Sequence, residues 1–419
     1  MIKNKLSNQS AGNDLRLTIQ SLQGSQIREV VNAAIDPTPV LTFWFGESDE
    51  VTHPAVIEAA VQSLKAGETF YTANLGLPAL RESVAAYMAR LHGSAANPID
   101  EHRIAITSGG VSGLMLATQA IVHEGDEVVC VTPIWPNLPQ QAIIMGARVT
   151  SVALVPTAQG WQLNLDALCK AITSQTRLLM VNAPNNPTGW TLSTAEQQAI
   201  LDHCRSTGTW IIADEVYERL YFEPIDTVTN PHGCAPSFLD IAKPEDKLIV
   251  THSFSKTFLM TGWRLGWLVV PPSCLEAVGK LIEFNTSCAP SFVQQAALEA
   301  LKRESDITPP LVAHFKQCRD TLVPLLQAIP NVTVQSAKGG MYAFFKIEGW
   351  NDSLTLAKRL VNEAGLGLAP GSAFDLAPDK VGDGWMRWCF ASQDVGRLAL
   401  GVARLQAWLA KQGGLSAPC

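Results

Sequence analysis

Seven residues that could take part in catalysis or ligand binding follow four short apolar segments of this sequence. An aromatic ring follows the segment EVVCV, and two amides follow RLLMV. A carboxylate and a phenol follow WIIA, and a hydroxyl and an amine follow KLIVT. The residues are Trp135, Asn182, Asn186, Asp214, Tyr217, Ser253 and Lys256. Ligands of an open α/β sheet bind outside the carboxyl ends of its strands, so one edge of one sheet would bring all of them together.

The four segments have the composition of strands in a parallel sheet. They span residues 127–131, 177–181, 210–213 and 247–251, and each is apolar almost throughout rather than alternating. Helical patterns separate them. Between the second and third, Ser193 and Glu196 form a capping-box pattern, and the predicted helix ends at Gly208. The pattern predicts an α/β fold whose sheet is covered on both faces.

A glycine pair precedes a further predicted helix, which should end near Gly125. Ser108, Gly109 and Gly110 would let the backbone approach a ligand, and the helix N-terminus would offer free N–H groups to a phosphate. Taken alone, this motif is more often that of an ordinary turn. It fits neither the P-loop nor the GxGxxG pattern.

Together these groups suit pyridoxal 5′-phosphate. A lysine amine can form a Schiff base with the cofactor aldehyde, and a carboxylate can keep the pyridine nitrogen protonated. An indole can stack on the ring, an amide and a phenol can contact its 3′-oxygen, and a guanidinium can hold the phosphate. We therefore expect Lys256 to anchor the cofactor, and Arg264 with Ser253 to bind its phosphate.

Nine motifs, in a fixed order, resemble those of the class I/II aminotransferases, pyridoxal-phosphate enzymes of fold type I in the aspartate aminotransferase superfamily. The resemblance covers about residues 25 to 410. The motifs are FYTANLGLPALRESV, TSGGVSG, TPIWPN, NAPNNPTG, ADEVY, SFSKTFLMTGWRLG, GGMYAFF, APGSAF and MRWCF.

The resemblance implies a role for each matching residue near the cofactor ring. Lys256 would be the imine lysine and would move the proton between the substrate α-carbon and cofactor C4′. Asp214 would pair with the pyridine nitrogen, Tyr217 and Asn186 would contact the 3′-oxygen, and Trp135 would stack on the ring.

The resemblance also implies the phosphate and substrate contacts. Arg387 would clamp the substrate α-carboxylate in the two-pronged way that a guanidinium permits, with Gly46 and Asn186 beside it. The implied phosphate contacts are Ser108, Gly109, Gly110, Ser253 and Arg264, with the partner subunit's Tyr71.

The sequence pattern changes past about residue 300 to long helical patterns with short strands, which indicates a second domain. A large cofactor-binding domain with a mostly parallel sheet flanked by helices would span 61–299. A smaller α+β domain would be formed by 1–60 and 300–419. The resemblance also implies a homodimer that shares its active sites through Tyr71.

Several of these residues have an ordinary alternative reading. Asp214 could be a helix N-cap, Trp135 could be core packing, and Tyr71 could be a half-buried surface ring. Arg387 is different, because an arginine among large apolar residues of a strand needs a partner.

Composition excludes several other classes of protein. The chain has 419 residues, 47% of them hydrophobic, and a net charge of −7, which argues against binding nucleic acid. No apolar stretch long enough for a membrane helix and no signal-peptide pattern is found. Nine cysteines without a CxxC pair indicate neither a disulfide framework nor a metal site, and favour the cytoplasm.

The leading functional prediction is amino-group exchange between an amino acid and a 2-oxo acid. A β-lyase or synthase on the same scaffold is the alternative, because both reactions begin with removal of the α-proton. A non-enzymatic regulator is disfavoured because the first 40 or so residues show no DNA-binding pattern.

The expected substrate side chain is neutral or aromatic. Aspartate-specific relatives place a cation after the phosphate-loop glycines or beyond the imine lysine. Here the first position is Val111, and no arginine occurs between Arg264 and Arg303. A buried carboxylate without a partner would cost a few kcal/mol or more, roughly. Three consecutive aromatic residues beside Gly46 could line an apolar pocket or belong to the core; they are Phe43, Trp44 and Phe45.

Overall fold

Four parallel strands at the centre of the main sheet correspond to the four predicted segments. The structure is a computed structural model that describes residues 15–35, 39–226, 230–376 and 380–412. The strands are β1 (Leu41–Thr42), β2 (Ile104–Thr107), β3 (Glu127–Thr132), β4 (Arg148–Ala153), β5 (Val155–Thr157), β6 (Gly160–Gln162), β7 (Thr176–Asn182), β8 (Trp210–Asp214), β9 (Leu248–Ser253), β10 (Gly266–Val269), β11 (Val332–Val334), β12 (Tyr342–Ile347), β13 (Leu366–Gly367), β14 (Ala369–Pro370) and β15 (Trp385–Cys389). The predicted segments are β3, β7, β8 and β9.

Helices follow most of these strands. They are α1 (Leu17–Gln20), α2 (Gln26–Asn32), α3 (Pro54–Lys65), α4 (Pro78–His92), α5 (Gly110–Ile121), α6 (Asn137–Ile144), α7 (Leu165–Ala171), α8 (Thr194–Thr207), α9 (Phe254–Thr257), α10 (Leu275–Asn285), α11 (Ser291–Lys302), α12 (Glu304–Gln327), α13 (Ser353–Glu363) and α14 (Val395–Lys411).

The main sheet has seven strands in the order β2-β10-β9-β8-β7-β3-β4. All neighbouring pairs are parallel except the two made by β10. This confirms the predicted α/β fold with a mostly parallel sheet. The strands extend slightly beyond the apolar segments, so that Asn182, Asp214 and Ser253 are the last residues of their strands.

Alternate residues of each central strand point to opposite layers of helices. In β7, Leu178 and Met180 pack in the core beneath α5 and α10, whereas Leu179 and Val181 pack in the larger core on the other face. This explains why the segments are apolar at every position. Burial of each such side chain contributes about 1.5–3 kcal/mol.

The predicted caps account for one helix fully and for another in part. Ser193 and Glu196 form both hydrogen bonds of the capping box of α8, and Gly208 ends that helix with φ 77°. By contrast, α5 ends at Ile121, four residues before the predicted end near Gly125. The backbone N–H of His123 donates to the Asp126 carboxylate instead, at 2.8 Å, and so starts a turn.

A second sheet lies in the C-terminal part of the chain. It is antiparallel, in the order β11-β12-β15-β14, and includes the predicted segment GGMYAFFKI as β12. The predicted domain boundaries at residues 60 and 299 fall inside α3 and α11, and these two helices pack on each other. We therefore propose boundaries outside both helices, before Pro54 and after Lys302.

Among the described residues, none of the helices has the length and apolar character needed to span a membrane. Eight described cysteines are free thiols. Cys419 lies outside the described residues.

Candidate active site

A cavity of about 630 Å³ opens at the carboxyl ends of β7, β8 and β9. The strand order places these three ends side by side, as the sequence pattern requires. Ten of the predicted site residues line it: Gly46, Gly110, Trp135, Asn186, Asp214, Tyr217, Ser253, Lys256, Arg264 and Arg387.

Three predicted site residues do not line this cavity. Ser108 lies in the adjoining cavity, which Trp135 and Arg264 also line. Gly109 lies beneath Arg264, because a Cβ atom there would be 2.3 Å from Nη2 of that arginine. Tyr71 is 88% exposed and is not part of either cavity wall.

Lys256 stands on the short helix α9 directly after β9. Ser253 caps this helix, since its Oγ accepts the Ser255 N–H at 3.1 Å. The half-buried Lys256 Nζ donates to the backbone oxygen of Gly46. Desolvation lowers the pKa of Lys256 to about 8, and the positive charge of Arg387 acts in the same direction. A substantial fraction of the amine is therefore neutral near physiological pH.

Asp214 ends β8 with its side chain almost completely buried. Burial raises the pKa of this carboxyl to about 7, against the opposing effects of the Val216 N–H and of Lys256. The Val216 N–H is 3.4 Å from Oδ1, and the following residues form turns, so Asp214 is not the N-cap of a helix. A buried carboxyl with so high a pKa would be stabilised in its ionised form by a nearby positive charge.

Tyr217 is paired with a tyrosine that the sequence analysis did not select. Its hydroxyl lies 2.7 Å from the hydroxyl of Tyr342 on β12, and both rings are buried. Burial, followed by the proximity of Tyr342, raises the pKa of Tyr217 well above its usual value. The phenol therefore stays protonated and can donate a hydrogen bond into the cavity. Tyr342 lies in the GGMYAFF motif, where a tyrosine among apolar residues was the available signal.

Arg387 on β15 contacts both walls of the cavity. Its Nη1 donates to Asn186 Oδ1 at 2.9 Å, and Nη2 donates to the backbone oxygen of Trp44. Its guanidinium lies over the rings of Tyr342 and Phe374 at 4.5 and 4.9 Å. Its Nε is buried and has no hydrogen-bond partner among the described residues. An unpaired buried donor of this kind is costly unless an acceptor binds there.

The amides of NAPNNPTG fix the ends of two strands. Asn182 Nδ2 donates to the backbone oxygen of Asp214 at 2.9 Å, and Asn182 Oδ1 accepts the Asn186 N–H at 2.7 Å. Asn182 thus positions Asn186 and Asp214, a role that the resemblance does not imply.

The aromatic residues beside Gly46 divide between core and cavity. Phe43 is buried against Trp388 at 4.8 Å, and Trp44 is buried as well. Only Phe45 lines the cavity. Of the two alternatives left open by the sequence, core packing holds for Phe43 and Trp44, and a place in the cavity wall holds for Phe45.

Trp135 and two further residues complete the walls. Trp135 is half-buried and packs against the core beneath α5 while also lining the cavity. Core packing is therefore compatible with a place beside the cofactor ring. Arg28 and Glu47 line the cavity from the N-terminal part of the chain, and the sequence analysis selected neither. No motif marked them.

The residues present fit pyridoxal phosphate. A Cβ atom at Gly46 would lie 2.1 Å from the Tyr342 hydroxyl, so only glycine allows the backbone this close to the cavity. Gly109 has φ 97° and lies against Arg264, which lines the cavity. It directly precedes the start of α5, where a phosphate could bind. The amine, buried carboxyl, phenol and guanidinium are the donor set that the cofactor needs.

Comparison with known proteins identifies the family. The sequence profile described as "Aminotransferase class I and II" matches residues 42–405. An aspartate aminotransferase of Pyrococcus horikoshii is 30% identical over 374 residues, 88% of this chain and 91% of that protein.

Solved structures agree. A single-mutant aspartate aminotransferase of Thermus thermophilus has a TM-score of 0.85 at 26% identity, over 94% of this chain and 100% of that one. An aromatic aminotransferase of Pyrococcus horikoshii has a TM-score of 0.80 at 28% identity, over 92% and 99%. Enzymes of the aspartate aminotransferase type use pyridoxal phosphate, and the profile match and these likenesses place this chain in the class I and II aminotransferase family.

Proposed function

We propose that this protein is an amino-acid aminotransferase whose catalytic residues are Lys256, Asp214 and Tyr217. The observation that carries the proposal is the meeting of the Lys256 amine, the buried Asp214 carboxyl and the partly unpaired Arg387 guanidinium in one cavity. Pyridoxal phosphate, when bound, supplies a reactive aldehyde and a ring that accepts electrons from the substrate α-carbon.

The residues around the cavity would share the remaining tasks. Lys256, whose pKa is lowered to about 8, would hold the cofactor and then move the proton of the substrate α-carbon. Asp214 would pair with the pyridine nitrogen, and the Tyr217 hydroxyl with Asn186 would contact the 3′-oxygen. Trp135 would stack on the ring.

The phosphate and the substrate would be held at opposite ends. Arg387 would bind the α-carboxylate through its guanidinium N–H groups, beside Gly46 and Asn186. The proposed phosphate contacts are Ser108, Gly109, Gly110, Ser253 and Arg264.

A half-reaction distinguishes transamination from β-lyase or synthase chemistry. The cofactor-loaded enzyme is mixed with single amino acids, and its absorbance is followed. Conversion to the pyridoxamine form, which a 2-oxo acid reverses, supports the proposal. Release of ammonia and oxo acid without that conversion would instead identify a lyase.

A neutral or aromatic amino acid is the proposed donor. Apolar side chains form part of the cavity wall, namely Ile27, Phe45, Val111, Leu114 and Trp135. The likeness to a protein titled aromatic aminotransferase is consistent with this choice.

An acidic donor is the second candidate, favoured by Arg28. This exposed arginine lines the same cavity, and among the described residues its guanidinium has no hydrogen-bond or ion-pair partner. A panel of aspartate, phenylalanine, leucine and methionine separates the two. Aspartate at least about tenfold faster than the others would overturn the neutral assignment, and loss of that advantage in Arg28→Gln would assign recognition of the side-chain carboxylate to Arg28.

We further propose a homodimer in which the partner subunit's Tyr71 reaches the phosphate. The ring of Tyr71 and that of Phe70 are 88% and 83% exposed, which is unusual for adjacent large aromatic residues. The free thiols of the described cysteines agree with a reducing compartment, and we propose the cytoplasm.

A further inference from the structure

Four buried ionisable residues form a cluster behind the cavity, and none of them lines it. We call this the buried cluster; it consists of His92, Glu215, Glu218 and His252, each of which is at most 4% exposed. Two of its members belong to the turn that follows Asp214, and a third immediately precedes Ser253.

His92, at the end of α4, bridges two carboxylates. Its Nε2 is 2.9 Å from Glu218 Oε2, and its Nδ1 is 2.8 Å from Asp240 Oδ1. Glu215 is held separately, since its carboxylate accepts hydrogen bonds from Ser237 Oγ and from the Phe238 N–H.

Glu218 also contacts the strand that carries the proposed cofactor lysine. Its Oε1 lies 3.4 Å from Nδ1 of His252, the residue before Ser253 on β9. The same two segments are joined by the backbone, where the Glu215 N–H donates to the Thr251 oxygen at 3.1 Å. Glu218 therefore connects the segment bearing Asp214 and Tyr217 to the segment bearing Ser253 and Lys256.

The charges of the two imidazoles differ. Hydrogen bonds and attraction to Asp240 and Glu218 outweigh desolvation and raise the pKa of His92 well above its usual value, so it is positively charged. Desolvation lowers the pKa of His252 to about 4, so it is neutral. The His252 ring that contacts Glu218 is thus neutral. In the tautomer with the proton on Nδ1, this N–H would point to the Glu218 carboxylate. The other ionisable groups facing Glu218 are Arg219, Glu215, Tyr87 and Cys234.

We propose that Glu218 is a positioning residue of the active site, which holds the turn carrying Asp214 and Tyr217 in register with the strand end carrying Ser253 and Lys256. His92 supplies the positive charge that lets the Glu218 carboxylate remain ionised in the interior. The proposal rests on the cofactor assignments of the proposed function.

A metal ion is a less suitable occupant of this cluster. Ligand atoms of Glu215, Glu218 and His252 lie within 4.8 Å of one another. However, the Glu215 carboxylate already accepts two hydrogen bonds, and His92 already balances the charge of Glu218. The cluster therefore holds its carboxylates with the protein's own groups.

The link between Glu218 and His252 would affect catalysis through the positions of the two segments that it joins. Neither Glu218 nor His92 touches the cavity, so loss of the link would act by letting the two segments shift. A displacement of about 1 Å at reacting groups can lower the rate by about a hundredfold. We expect a smaller loss from a conservative change, because the backbone bond at Glu215 remains.

The test compares Glu218→Gln with a matched control in the cofactor-loaded enzyme. Glutamine keeps the shape of Glu218 and removes its charge. The control is Glu304→Gln, because Glu304 is also buried, but its ion pairs are with Arg90 and Arg219 rather than with a residue of β9. Both variants lose one buried carboxylate from the same neighbourhood, so generic destabilisation affects both.

Three constants are measured: the dissociation constant of pyridoxal phosphate, and kcat and KM of the half-reaction. In Glu218→Gln we expect the dissociation constant of pyridoxal phosphate to rise about tenfold, and kcat of the half-reaction to fall at least about tenfold, with KM changed less than about twofold. In Glu304→Gln we expect all three constants within about twofold of the parent, despite a lower unfolding midpoint.

Two outcomes overturn the proposal: constants in Glu218→Gln that match the parent, or equal losses in the control. Should Glu218→Gln not fold, His252→Gln removes the other end of the link and is judged by the same constants. Failure of the parent enzyme to convert any amino acid would instead count against the proposed function, and the cofactor-affinity comparison would still decide the role of Glu218.

Discussion

The buried carboxyl of Asp214 should make the stability of the cofactor-free protein depend on pH, and Asp214→Asn should remove that dependence. Desolvation raises the pKa of this group from 3.8 to about 7. The folded protein therefore binds this proton more tightly than the unfolded chain. Below about pH 3.8 the carboxyl does not destabilise the fold. Its destabilising effect grows as the pH rises to about 7 and stays constant above that pH.

The magnitude follows from the shift. About three pKa units correspond to about 4 kcal/mol in total, of which about 2.5 kcal/mol is lost between pH 5 and pH 8. Asparagine does not titrate. The free energy of unfolding of the variant minus that of the parent should therefore be about 2.5 kcal/mol larger at pH 8 than at pH 5.

Urea unfolding of both proteins at the two pH values measures this difference. Other shifted groups, such as Glu215 and His252, are present in both proteins, so their titrations cancel. Saturating pyridoxal phosphate should reduce the slope in the parent, because a positive pyridine nitrogen favours the ionised carboxyl. A pH dependence of the difference below about 1 kcal/mol would refute the reasoning.

Three further outcomes are expected. Lys256→Ala should abolish the absorbance of the lysine-bound cofactor and turnover, while circular dichroism shows the fold intact; near-normal activity would refute the mechanism. Arg387→Lys should lower kcat/KM of the half-reaction about a hundredfold, because an ammonium cannot replace the planar donors that reach Asn186 and the substrate; a loss below about threefold would contradict the assigned role. Sedimentation should show a dimer at assay concentrations, with cofactor affinity reduced in Tyr71→Ala; a fully active monomer would contradict the shared site.

The sequence was sufficient to predict the central strands and the location of the site, for local reasons. Continuous apolar segments such as RLLMV are required where residues like Leu178 and Leu179 face opposite helix layers. The polar residues directly after them then lie at one sheet edge. Asp214 and Lys256 could be selected because their strands determine their position.

Contacts between distant segments were beyond such reasoning. Phe45 lines the cavity whereas Phe43 is buried, and only the packing of Phe43 against Trp388 decides between them. Arg28 reaches the cavity from a helix far away in sequence. No sequence motif includes His92, whose significance comes from two carboxylates that are more than 100 residues away.

The close approach of Gly46 to Tyr342 constrains the order in which this site could change during evolution. A methyl group at position 46 would lie 2.1 Å from the Tyr342 hydroxyl oxygen but 3.1 Å from the ring carbon that bears it. Gly46→Ala would therefore displace the phenol and break its hydrogen bond to Tyr217. If Tyr342→Phe came first, the same alanine would meet only a tight contact that a small shift relieves. Descendants with a side chain at position 46 should thus already have lost the hydroxyl at position 342.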